Sequence, residues 1–164
     1  MNKLWARLVL VVVIEMCAAS ASTPVVIKSS GDTVVSSRFG EVGVRVKIRT
    51  HELPNGTTDK PLKPPDSSCT MSRMPCSVVD SIEISVAGAP VFVPRSVFAD
   101  LADVNNAELA MEKGRYVLTL IGGDASESYI VKIVFNRTRI TYRSLTSGEF
   151  PEHPLQETIY HSAD

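Results

Sequence analysis

The sequence predicts a mainly β (α+β) fold, an antiparallel sandwich or curled half-barrel of about seven strands with one short helix, on three observations. Apolar and polar residues alternate through residues 42–50 and again through 129–135, the period that turns one strand face to a core and the other to water. The segments between such runs are rich in Gly, Asn, Ser and Pro, the residues of tight turns. Strands and helices do not alternate along the chain, which argues against a parallel α/β sheet.

Residues 24–28 and 33–37 read as short strands separated by Ser29-Ser30-Gly31-Asp32. The clearest strand follows, with Val42, Val44, Val46 and Ile48 on one face and Arg45, Lys47 and Arg49 on the other. From about 51 to 76 the periodicity stops, and Pro54, Asn55, Gly56, Pro61, Pro64 and Pro65 mark a long loop. Ile82, Ile84 and Val86 then lead through Ala87-Gly88-Ala89-Pro90 into 91–93, a hairpin pattern. After Pro94, Val97, Phe98, Leu101 and Val104 fall at helical spacing and predict the helix, with 105–113 continuing it to a stop at Gly114. A meander of strands over 116–121, 129–135 and 139–144 closes the domain, with a last strand at 157–160.

The first residues form a separate unit. Lys3 and Arg7 supply a positive start, residues 8–14 a continuous apolar run, and Ala19-Ser20-Ala21 a small-x-small cleavage pattern. Residues 1–21 therefore read as a cleaved signal peptide, since Glu15 interrupts the apolar run far short of the ~20 residues a membrane span needs. Glu15 and Met16 precede Cys17, where a lipidation signal would carry small residues, so Cys17 belongs to the discarded peptide. Residues 22–164 read as a single β-rich domain.

The whole chain has 17 Lys and Arg against 18 Asp and Glu; removing Lys3, Arg7 and Glu15 leaves 15 against 17, a net charge of −2. That balance excludes the strongly basic field of a nucleic-acid binder and gives no support for binding a membrane surface. Of the cysteines, Cys69 and Cys76 remain, and an even count in an exported chain reads as a disulfide. Their spacing matches neither a redox Cys-x-x-Cys nor a metal cluster, so no cofactor or metal is expected.

Three histidines, His51, His153 and His161, are the first candidates for acid–base chemistry. None lies in a nucleophile or zinc motif. The neighbouring Glu52 and Glu152 would face away from His51 and His153 within a strand. The glycines of 122–128 sit beside Asp124 and Glu127, which would repel a phosphate, and a strand follows rather than a helix, so this is a hairpin turn. Arg45, Lys47 and Arg49 would form a basic surface with Arg137, Arg139 and Arg143 if their strands were neighbours; otherwise each group is a solvated face. Asn55-Gly56-Thr57 and Asn136-Arg137-Thr138 match the glycosylation sequon and are taken as incidental.

Residues 148–154 stand out because Phe150 lies among Glu149, Glu152 and His153 between turn residues. It is either a contact aromatic in a protein interface or a plug at one end of the core. The expectation is a non-enzymatic exported protein, periplasmic or secreted, that binds another envelope or secreted protein and acts as an inhibitor or immunity protein. Its contact residues would be Asp124, Glu127, Glu149, Phe150, Glu152 and His153. The alternatives are a cell-envelope hydrolase using His51 or His153, and a small-molecule or glycan binder.

Overall fold

The computed structural model describes residues 21–53, 69–70 and 75–161. Apart from Ala21, the signal peptide lies outside these residues, as do most of the long loop and the Asn55 sequon.

The described chain forms ten strands. They are β1 (Val25–Val26), β2 (Gly31–Phe39), β3 (Val42–Glu52), β4 (Ser77–Val86), β5 (Ala89–Val91), β6 (Val104–Glu112), β7 (Arg115–Gly122), β8 (Tyr129–Phe135), β9 (Ile140–Ser147) and β10 (Pro154–Ile159). They make two antiparallel sheets, one in the order β1-β6-β7-β8-β9-β10 and one in the order β2-β3-β4-β5. The inner faces pack as a sandwich around one core. Val44, Val46, Ile48, Ile82 and Ile84 come from the smaller sheet, and Leu109, Leu118, Leu120, Val131, Ile133 and Phe135 from the larger.

Alternation in sequence becomes alternation in burial along β3 and β8, where the every-second-residue apolar sets are the core residues. Val86 pairs with Ala89 across Ala87 and Gly88, whose φ values of 51° and 83° match the primed turn that suits strand twist. The expected helix is corrected. Only a 3₁₀ turn forms at Arg95–Val97, and residues 104–112 are strand β6, paired with both β7 and β1. Ala107-Glu108-Leu109-Ala110-Met111-Glu112 has strong helix propensity, yet pairing with β7 buries Ala107 and Leu109 on one face, and tertiary packing prevails. Gly114 with Lys113 forms the hairpin turn, at φ 76° and 50°, rather than a helix cap.

The two ends of the sandwich differ. Connections β2–β3, β4–β5, β6–β7 and β8–β9 are short turns gathered at one end. Connections β3–β4, β7–β8 and β9–β10 lie at the other end and are longer. There Gly123 N–H donates to Asp103 O (3.1 Å), Asp103 N–H to Ser77 O (2.6 Å), and Gly148 N–H to Ser128 O (2.8 Å).

Candidate functional site

The β7–β8 and β9–β10 loops carry all six candidate contact residues, and the fold sets these loops side by side. In the first loop, Gly122 has no side chain because the ring of its cross-strand partner Tyr129 lies over it. The Tyr129 hydroxyl passes beneath the loop and donates to Ala102 O. Burial, with the Asp103 carboxylate nearby, pushes the Tyr129 phenol well above its ordinary value of 10.0. Asn105 Nδ2 donates to Gly123 O (2.8 Å), and a 3₁₀ turn at Ala125–Glu127 completes the loop. Asp124 and Glu127 are exposed on it.

In the second loop, Glu149 N–H donates to Ser147 Oγ (3.2 Å) and His153 N–H to Phe150 O (3.2 Å), closing a turn around Pro151. A Cβ on Gly148 would overlap the Ser128 side chain, so only glycine allows the loops to approach this closely. Phe150 is 59% exposed and does not plug the core. Glu149, Glu152 and His153 are also exposed, and His153 Nε2 lies 3.7 Å from Glu152 Oε1. This pair forms because it sits in a turn, where the strand rule that separates neighbours does not hold. The result is a surface with four carboxylates, one histidine and one exposed aromatic, and no Lys or Arg in residues 123–128 or 148–153.

The disulfide joins Cys69 to Cys76 with Cα atoms 5.6 Å apart. Asp103 lies beside it, buried and at φ 50°. Its Oδ2 accepts from Thr70 N–H and its Oδ1 from Ser77 N–H, both at 2.9 Å. Among the described residues, Cys69, Cys76 and Asp103 are the one trio with metal-ligand atoms close together. The sulfurs are joined to each other and the carboxylate oxygens hold backbone N–H groups, so the cluster is a structural clamp at the base of the β3–β4 loop.

His51 and His153 sit on different features. His51 Nδ1 lies 2.7 Å from Asp80 Oδ1, on the adjacent strand, and not against Glu52. A register shift makes this contact: Arg49 faces Ser81 while Thr50 faces Val79, so Asp80 is the extra residue of a bulge, a device that re-aims side chains. Both groups are half-exposed. His161 is exposed just beyond β10.

The two basic groups belong to different sheets, so the condition for a joint basic surface, that their strands be neighbours, is not met. On β3, Lys47 pairs with Glu83 (2.8 Å) and Arg49 with Asp32 (2.7 Å). That guanidinium holds the Asp32 carboxyl below its ordinary value. Arg143 is 1% exposed and faces inward, fully bonded by its neighbours. Arg137 and Arg139 flank the β8–β9 turn, whose Asn136 Oδ1 accepts from Thr138 N–H (2.9 Å) and Arg139 N–H (3.0 Å), the side-chain turn its sequence suggests.

Sequence reasoning did not reach the Asp103 clamp, the His51–Asp80 contact or the burial of Arg143, each of which depends on register or on a remote connection. Among the described residues, no helix is long and apolar enough to cross a membrane. Compared with known proteins, the chain matches no protein-family model, no curated protein and no solved structure.

Proposed function

We propose that this is an exported, non-enzymatic binding protein that grips another protein through the loop-bearing end of its sandwich, masking it as an inhibitor or immunity protein does. One observation carries the reading. The Gly148–Ser128 contact joins two loops into a single acidic surface around exposed Phe150, held on a rigid sheet. Loops on a rigid scaffold are where recognition concentrates, and a large aromatic ringed by polar groups is the usual composition of an interface centre. With Asp124, Glu127, Glu149 and Glu152 and no cation in either loop, the complementary partner surface is basic. A disulfide suits the oxidising periplasm or an extracellular setting.

The test is affinity capture with residues 22–164, disulfide formed, immobilised and exposed to native envelope extract, with bound species identified by mass spectrometry. One stoichiometric protein is expected, and Phe150→Ala is expected to weaken its binding by about 2 kcal/mol, roughly thirtyfold. A complex that survives substitution of all six loop residues would remove this site.

A further inference from the structure

The short-turn end of the sandwich carries the opposite charge to the loop-bearing end. Arg38, Arg45, Lys113, Arg115, Arg137 and Arg139 lie in or beside its turns, against Glu41 and Glu112. Lys132 answers Glu112 at 3.9 Å. Among the described residues, Arg38, Arg45, Arg137 and Arg139 have no salt-bridge partner. Glu83 lies further from this end than Arg45, across from Lys47, which holds it at 2.8 Å.

A crossing of the chain, rather than strand pairing, gathers these cations. After β5 the chain passes to the larger sheet, where Phe92 N–H donates to Thr138 O (2.9 Å) and Phe92 O accepts from Ile140 N–H (3.3 Å). Phe92 therefore sits beside the β8–β9 turn, and one groove of about 650 Å³ is lined by Arg45, Phe92 and Thr138, among others. Arg137 and Arg139 flank Thr138 in the chain, and Arg38 lines an adjoining groove with Arg45. Phe92 is 70% exposed among them. Since Phe39, Phe98 and Phe135 belong to the core, the two exposed phenylalanines stand one at each end, Phe150 among carboxylates and Phe92 among arginines.

We propose that the loop-bearing end takes the turn end of a second copy of this chain, head to tail, so that a basic partner protein competes with self-assembly for one surface. The inference rests on the reading of the loop-bearing end as a protein-binding surface. Charge complementarity selects the occupant: Asp124, Glu127, Glu149 and Glu152 meet the arginines of the next copy, and Phe150 meets its Phe92 groove. Like ends cannot pair in this way, because carboxylates would face carboxylates and arginines would face arginines. The two surfaces lie at opposite ends of the strands, so the contact is heterologous. Each added copy leaves one acidic and one basic end free, and assembly proceeds as a chain rather than stopping at a symmetric pair.

The test is sedimentation of residues 22–164, disulfide formed, over a range of protein and salt concentrations. The average mass is expected to rise past that of a dimer at low salt and to fall as salt screens the contact. Two variants each disable one end: Arg137→Gln with Arg139→Gln, and Glu149→Gln with Phe150→Ala. All four positions are at the surface, so thermal unfolding is expected to stay near that of the wild type. Each variant alone is expected to associate about tenfold more weakly or less. Their mixture is expected to recover association and to stop at a one-to-one pair, because each supplies one intact end. Undiminished association of either variant alone, or a wild type that stops at a dimer, would overturn the proposal. A wild type that stays monomeric, while a foreign protein binds and Phe150→Ala weakens it, overturns this inference and leaves the loop-bearing end as a binding surface. If neither self-association nor a foreign partner responds to Phe150→Ala, both readings fall.

Discussion

Arg143 and Asp100 join β9 to the connection that crosses between the sheets: one guanidinium nitrogen lies 2.8 Å from both carboxylate oxygens. The same side chain donates to Val97 O (3.0 Å) and Gln156 Oε1 (2.7 Å), so one buried arginine binds the 3₁₀ turn, the crossing connection and the edge strand β10 together. A desolvated cation is tolerated only when its donors are filled this completely. The two partners are unequal, because the Arg143 side chain is 1% exposed and that of Asp100 is 40% exposed.

This inequality predicts an order of stabilities. Asp100→Asn leaves a buried cation without its counter-charge and is expected to cost about 3 kcal/mol. Arg143→Met removes the charge and keeps most of the volume, while Asp100 returns to water, so the expected cost is about 1–2 kcal/mol. Urea unfolding of the two variants measures both. Equal costs, or a larger one for Arg143→Met, would show that the pair acts through packing rather than charge.

At the base of the long loop, the Asp103 clamp predicts a penalty for a nearly isosteric change. Each Asp103 oxygen accepts one backbone N–H, from Thr70 and from Ser77. Asparagine tolerates the left-handed backbone at φ 50° but offers one oxygen and an amide that would confront a donor. Asp103→Asn is therefore expected to cost about 2 kcal/mol. Replacing Cys69 and Cys76 by serine is expected to cost about 2.5 kcal/mol in the chain-entropy account. Because both devices hold the same short segment, the combined variant should lose less than the sum, which a double-mutant cycle reads directly.

How much of this was legible depends on the range of the physics involved. Val44, Val46 and Ile48 announce their strand because burial on one sheet face imposes a period of two within the segment itself. Leu109 does not, since its neighbours favour a helix and only pairing with β7 makes it a strand residue. Arg143 looked like a surface cation because its partners, Val97, Asp100 and Gln156, come from two distant stretches of chain. For the candidate site, the composition of each loop could be read from sequence. Their contact could not, since it needs the β7-β8-β9-β10 order that brings Ser128 to Gly148.

Tyr129 predicts a specific alkaline weakness. Burial holds its phenol protonated in the fold after the unfolded chain has begun to release its proton. The raised folded value makes this contribution complete below the ordinary value of 10.0 and progressively lost as pH rises above it, by about 1.4 kcal/mol per pH unit. Tyr129→Phe keeps the ring over Gly122 and deprives Ala102 O of its donor, so a cost of about 1 kcal/mol is expected near neutral pH. The variant's stability should then fall less steeply than the wild type's above pH 10. Parallel curves from urea titrations across that range would refute the assignment.

Gly148 offers the most direct separation of the site from the fold. It belongs to an exposed loop, and a methyl group there meets the Ser128 side chain rather than the core. Gly148→Ala should push the β9–β10 loop away from the β7–β8 loop and weaken the bond from Gly148 N–H to Ser128 O. The stability cost is expected to stay near 1 kcal/mol, because the affected contacts lie at the surface. Partner binding should suffer more, by about tenfold or greater, if recognition needs Asp124 and Glu127 alongside Phe150 in one rigid surface. Gly148→Ala paired with Ser128→Gly tests the geometry itself: removing the obstructing hydroxymethyl should restore much of the lost affinity. Binding untouched by Gly148→Ala would mean that each loop acts alone, and the joined surface would lose its claim to be the site.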